Sequence, residues 1–583
     1  MYGAGVLGPA TINEPWRLAE AMTPETLAPS VPAGTPAFAL ADMAVVALYM
    51  LVMVAIGWWA SHGQKSTRDY FLGGRSISWW AVGLAIIATE TSALTFIGVP
   101  AMAFGPLARN EAGEIIVKQG SIDYLQLIIG YVIARVIIAI IMVPHYFKGD
   151  VYSPYQLLLK SFGRAPRFLA SIFFLVGGSL GAGVRIYVTA IPVMLIFRVF
   201  FPDWEILHSI ALFTLVAILY THVGGVKAVI WTDVFQFFIF VVGGVASLVW
   251  ITSLVDGGWD RIVQIGTETD RWTWYRTGLV SREDFTKSGG EGFWPFLWAN
   301  IQEIIGGRFN LWMGFIGATI GVMCSHGVDQ LNVQRVLNCR SARDGSKALI
   351  LSAVLIFPLF LLFLTVGVAL YAYYSLNNFA FGIDPWNPAD PDRNPKADYV
   401  FPIFIVTHMP PVLKGFIISA ILAAAMSSIA GALSALGSVL VMDIFKPLDR
   451  VKRSEASYLR ISRWAILVAA SGLMIIAYFS QTTPLVFNLA FELAGLTSGA
   501  LLGSVLFAIY KKRCYPGPIL AGMIASFVVM IVVVLLTKFG AIRINWPWFT
   551  PLGTAVTLAV AYLAAIGVPK PEHDFADVEP IHK

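Results

Sequence analysis

The stretch Gly83–Gly105 reads "GLAIIATETSALTFIGVPAMAFG". It is long enough to cross a bilayer as a helix, yet Thr89, Glu90, Thr91 and Ser92 interrupt its middle. In lipid, backbone left without a partner is costly, so a polar break at that depth points to a site. The surrounding chain places it in lipid. Of 583 residues, 57% are hydrophobic and 13% are charged, about half the charged share of a soluble domain. The mean hydropathy is +0.72, and apolar runs of membrane-crossing length recur along the chain.

The pattern predicts an all-α polytopic membrane protein with thirteen spans: 43–60, 78–104, 123–144, 167–200, 207–222, 227–254, 310–328, 347–375, 411–441, 461–480, 485–510, 517–537 and 546–567. Every other loop is basic, from Lys65, Arg68 and Arg75 after the first span to "KKR" after the eleventh. Basic loops face the cytoplasm, which places the N-terminus outside and the C-terminus inside, in the cell membrane. The scattered basic residues argue against nucleic acid as a partner, and residues 1–40 lack the basic start and apolar core of a cleavable signal. Cys324, Cys339 and Cys514 form no CxxC pair and read as free thiols.

The seventh span, "GFIGATIGVMCSHGVDQ" (Gly314–Gln330), is also interrupted by small and polar residues. It lies five spans after the first interrupted one. Five is odd, so a second copy of a five-span unit enters from the opposite side, as in an inverted repeat with a midplane site. The resulting organisation is an extracytoplasmic tail 1–42, a leading helix 43–60, a first repeat 78–254 and an outer loop 255–309. A second repeat 310–510, two trailing helices within 517–567 and a cytoplasmic tail 568–583 follow.

Ionisable groups inside spans are functional suspects. Glu90 sits at the centre of the interrupted second span, either as a packing group or as a ligand. Arg185, in "GSLGAGVRIYVTA", either bridges to Glu90 or receives an anionic group on a solute. Asp233 lies about 9 Å along its helix from Lys227. It suits either a pair with that lysine or a carboxylate that draws a cation. His326 and Asp329 read as mouth residues. In "LAAAMSSIAGA" (Leu422–Ala432), small residues at spacings of three or four suit close helix packing. The same spacing also sets the Ala424 carbonyl beside the hydroxyls of Ser427 and Ser428, an arc of neutral oxygens suited to Na⁺. Both readings stay open on the residues alone.

Four motifs in order resemble the sodium/solute symporter family, which includes bacterial sodium–galactose and sodium–sialic acid transporters, over about residues 45–510. They are "KSTRDYFLGGRSISWWAVG", "VGGVKAVIWTDVFQ", "DQLNVQR" and "ILAAAMSSIAGALSALGSVLVMDIFK". The resemblance implies a leucine-transporter-like 5+5 inverted repeat that couples Na⁺ entry to solute uptake by alternating access. It implies a sodium site from the carbonyls of Ala88, Thr91 and Ala424 and the hydroxyls of Ser427 and Ser428. Asp233 is implied on the sodium exit path, and Glu90, Ser92 and Thr95 on the solute side. The substrate arginine of the sialic acid branch falls about one turn before Arg185. The second-sodium positions of some relatives fall on Ala430 and Gly431, which lack side-chain oxygens, so the resemblance implies one Na⁺ per cycle. The galactose-site positions fall on Val322 and Ser325, a departure from that site's design.

The expected function is a sodium-coupled symporter for a small polar solute: a sugar derivative, a zwitterion or an organic anion. The alternative is a sodium-gated sensor or channel of the same fold. An enzyme is not expected, because the chain has no HExxH, no GxSxG within a span and no histidine cluster.

Overall fold

A computed structural model describes residues 39–568 apart from 61–65, 110–114, 118, 149–150, 199–200, 202, 308, 382–396, 398–399, 452, 481–485 and 512–513. The expected tails before residue 39 and after 568, together with Lys65, lie outside the described residues.

The chain opens with α1 (Leu40–Ala60), then the broken pair α2 (Trp79–Glu90) and α3 (Ala93–Phe104). Next come α4 (Leu125–Tyr146, with a π-turn at Ile138–Met142), α5 (Arg164–Arg198) and α6 (Ile206–Leu254). An outer helix α7 (Phe293–Gly306) precedes a π-turn at Met313–Ala318, α8 (Thr319–Gly327) and α9 (Gln330–Leu337). The rest is α10 (Ala342–Leu376), α11 (Val400–His408), α12 (Leu413–Val439), α13 (Glu455–Ser480), α14 (Val486–Lys511), α15 (Pro516–Lys538) and α16 (Phe549–Ala564).

Among the described residues, nine helices are long and apolar enough to span a membrane, or ten with the broken α2–α3 pair counted once. The expected spans 207–222, 310–328 and 485–510 fall on shorter apolar or interrupted helices. The all-α expectation departs at one place. After Gly105 turns the chain at φ 101°, Leu107–Arg109 pairs antiparallel with Ile115–Val117 as a small two-stranded ribbon. Backbone that leaves a helix finds its partners there locally.

The expected fifth and sixth spans form one helix, α6, kinked at Gly225 (φ 54°). A Cβ at Gly225 would stand 2.5 Å from the Tyr70 carbonyl oxygen. The Tyr70 hydroxyl donates to the carbonyls of His222 (2.9 Å) and Thr221 (3.3 Å), satisfying backbone loosened at the kink. The "STRDYFLGG" run thus works as a plug. Ser66 and Asp69 form a capping box on a short helix that ends at Gly73 in the left-handed region and presents Tyr70 to α6.

Helix α12 is the centre of the molecule: 89% of its span is buried, against 28% for α1 and for α13. Both its ends are pinned. At the start, Asp42 Oδ1 of α1 accepts from the amides of Val412 and Gly415, each at 2.8 Å. Beyond its end, Arg167 of α5 donates to Asp443 Oδ1 (2.9 Å) and the Met442 carbonyl (2.7 Å), and Gln156 donates to the same carboxylate oxygen (3.1 Å). The three cysteines form no disulfide, as the spacing predicts, and all three are buried.

Candidate functional site

The α2–α3 pair bends by 59°. Its cause is local. Thr89, Thr91 and Ser92 carry hydroxyls that compete with helical hydrogen bonding. Thr89 Oγ1 donates back to the Ala85 carbonyl (2.9 Å) and Thr91 Oγ1 to that of Ile87 (2.6 Å). Thr91 and Ser92 then turn extended, with ψ of 84° and 172°. The Ser92 amide donates to the Glu90 carbonyl and the Thr95 amide to that of Ser92. Among the described residues, no hydrogen bond reaches the carbonyls of Ala88 and Thr91.

Ser427 and Ser428 of α12 face this break. Ser428 Oγ lies 3.2 Å from the Ala424 carbonyl and 3.4 Å from that of Thr89. The hydroxyl of Ser427 is fully buried and completes no hydrogen bond, and it faces Asp233. Asp233 Oδ1 is likewise buried without a partner, while Oδ2 takes Arg335 Nη2 (3.0 Å), Arg335 Nε (3.3 Å) and Thr89 Oγ1 (3.2 Å). Asp233 therefore pairs with Arg335 and not with Lys227, whose ammonium instead sits 5.8 Å over the Trp59 ring. Packing brings the end of "DQLNVQR" under α12, which no sequence spacing reveals. Gly431 makes room for that arginine, since a Cβ there would meet Arg335 Nη2 at 2.6 Å.

Glu90 points elsewhere. Its carboxylate forms an ion pair with Arg135 of α4 and lies 3.5 Å from His326 Nε2 of α8. Arg135 also donates to the Ser352 carbonyl of α10 (3.3 Å) and approaches His326 Nε2 at 3.1 Å, joining four helices at one guanidinium. The bridge from Glu90 to Arg185 is thus replaced by one to Arg135. His326 is buried and not a mouth residue: its Nδ1 contacts Ser325 Oγ at 2.9 Å. Sequence reasoning passed over Arg135, although a lone arginine in "LIIGYVIARVIIAIIM" is as costly in a span as Glu90.

Arg185 lines an open cleft between α5, α12 and the start of α9, with Thr189, Asp329 and Ser428 among its walls. Glu90, Ser92 and Thr95 are not among them. Ser92 and Thr95 are buried in the first turn of α3. Val322 is buried in α8.

The sequence matches the model of the sodium:solute symporter family over residues 70–526. It is 27% identical over 556 residues to the sodium/sialic acid symporter SiaT of Proteus mirabilis, covering 93% of this chain and 98% of that one. It is 26% identical to the human sodium/iodide cotransporter, over 84% of this chain and 68% of that protein. A solved structure of a Na⁺-coupled sialic acid symporter, in a substrate-bound outward-open state, superposes with a TM-score of 0.74 at 25% identity. That superposition covers 92% of this chain and 99% of the other. With a family match across most of its length and the broken-helix architecture in place, the chain belongs to the sodium:solute symporter family.

Proposed function

We propose that this protein couples the entry of one Na⁺ per cycle to the import of a small polar organic solute by alternating access. The ion is bound by the carbonyls of Ala88, Thr91 and Ala424 and the hydroxyls of Ser427 and Ser428. The observation that carries this reading is a helix break whose Ala88 and Thr91 carbonyls accept no hydrogen bond among the described residues, beside the buried Ser427 hydroxyl, which faces Asp233 without completing a hydrogen bond there. Unpaired oxygens in a span are costly, and a desolvated hard cation is the ligand that offsets them.

A single ion is supported by Arg335. Its guanidinium fills the space beside Gly431, where a second-site hydroxyl would stand, and its charge opposes another cation there. Asp233, held by Arg335, offers its free Oδ1 to an ion leaving Ser427. Na⁺ bridging α2 and α12 favours the outward-open arrangement, and solute binding then permits closure. The repeats run over 78–254 and 310–510 in the cell membrane, with the N-terminus outside and the C-terminus cytoplasmic. The solute is a sugar derivative, zwitterion or organic anion, met by Arg185 in the cleft beside Ser428, with Ser92 and Thr95 buried behind the break. Glu90, engaged by Arg135, holds the break in shape.

Solute uptake into proteoliposomes with and without a Na⁺ gradient tests the proposal. Uptake is expected only with the gradient, with a Hill coefficient for Na⁺ near one. A coefficient near two breaks the one-ion assignment. Gradient-independent flux points to a channel.

A further inference from the structure

The cleft beside Ser428 holds two opposite charges that do not meet. Arg185 projects from the middle of α5, and Asp329 stands on the facing wall at the start of α9. Among the described residues, no ion pair within 4.0 Å joins them. The Arg185 guanidinium makes no hydrogen bond among the described residues. Its side chain keeps open surface and forms one wall of this open chamber. Asp329 spends one oxygen, Oδ1, on the amide of Leu331 (2.8 Å), capping α9, and retains the other. The nearest other cation, Arg335, is committed to Asp233.

The remaining walls are mostly apolar, Phe174, Ile186, Ile429 and Leu436 among them. Across such walls each charge lacks a partner of opposite sign within reach, so a ligand that carries both signs would find a partner on each side. We infer that the chamber takes a zwitterionic solute, its carboxylate on the Arg185 fork and its ammonium on Asp329, with the hydroxyls of Thr189 and Ser428 at its side. A simple anion would face the Asp329 carboxylate unpaired, and a simple amine would face Arg185. Only a ligand carrying both charges satisfies both walls at once. This deepens the symport reading and rests on it, because contact with Ser428 places the solute against the proposed sodium site.

The test is a thermal-shift ruler on the purified full-length protein in lipid nanodiscs, in Na⁺ and in K⁺. The probes are the series glycine, β-alanine, 4-aminobutyrate and 5-aminovalerate, the carboxylates and amines of matching length, D-galactose and N-acetylneuraminate. One length in the amino-acid series is expected to stabilise the protein in Na⁺, with its matched carboxylate and amine without effect. Asp329→Asn keeps the helix cap, because asparagine caps as well as aspartate. It should shift preference from the amino acid to the matched carboxylate. Arg185→Lys keeps the charge but loses the fork, and should weaken binding by about tenfold to a hundredfold. The assignment is overturned if no amino acid of the series stabilises the protein. It is also overturned if the matched carboxylate or N-acetylneuraminate does so equally well and Asp329→Asn changes nothing. Stabilisation by the amino acid that is equal in Na⁺ and K⁺ upholds the assignment and sinks the sodium coupling instead.

Discussion

The two interrupted helices resemble each other in sequence and differ in how their loose backbone is satisfied. At the second break, the protein supplies the partners itself. The Cys324 carbonyl accepts from the amides of Val328 and Asp329, that of Ser325 from Asn332 Nδ2, and that of Gly327 from the Tyr146 hydroxyl. Asp329 caps the helix that follows. At the first break, the carbonyls of Ala88 and Thr91 accept no hydrogen bond among the described residues, and Ser428 of the facing helix donates to the Thr89 carbonyl between them. A closed break is a joint, and the open one is where we propose that the cation binds. Arg135 ties the two together, since Glu90 belongs to one broken helix and His326 to the other.

The largest test of this contrast is the tie itself. Arg135→Leu leaves the Glu90 carboxylate buried without its cation, and a loss of about 3–5 kcal/mol in unfolding free energy is expected. Thermal unfolding in nanodiscs reads it. Adding Glu90→Gln to that variant should recover much of the loss; no recovery would mean that Arg135 acts through packing alone.

Next come the open oxygens. Ser427→Ala and Ser428→Ala each remove one proposed ligand of an ion, worth about 1.5–3 kcal/mol and so tenfold or more in the Na⁺ concentration for half-maximal uptake. Unfolding in K⁺ should stay unchanged. A Na⁺ dependence equal to that of the parent returns the serines to a packing role.

Gly431→Ser sharpens the single-ion assignment. Its Cβ collides with Arg335, costing about 1–3 kcal/mol through strain on the pair with Asp233. The added hydroxyl should not raise the Hill coefficient for Na⁺, and a rise towards two would show that the glycine alone excluded the second ion. The smallest effect belongs to the closed break. Tyr146→Phe removes a donor to the Gly327 carbonyl and should cost about 1 kcal/mol in stability, with the Na⁺ dependence of uptake untouched.

Much of this was legible from residue order. Membrane class, most spans and both breaks follow from hydropathy and from polar residues where lipid forbids them. The arc of Ala424, Ser427 and Ser428 follows from helical spacing, and Ser428 does lie on the Ala424 carbonyl. Arg135 was legible in principle by the same rule that singled out Glu90, and its omission left Arg185 as the one arginine weighed as a partner for Glu90. The pairing of Asp233 with Arg335 was not legible, because the two lie far apart in the chain and Lys227 stood nearer in sequence.

The sequence by itself therefore determined where helices cross, where they break and which oxygens one helix turn gathers, because these depend on local periodicity and on the cost of polar groups in lipid. Only the tertiary structure decided which charges meet. Glu90 went to Arg135 and Asp233 to Arg335, while Arg185 was left facing Asp329 across an open cleft. Ion pairing in a membrane interior is settled by which helix faces touch, and that contact is a property of packing and not of sequence distance.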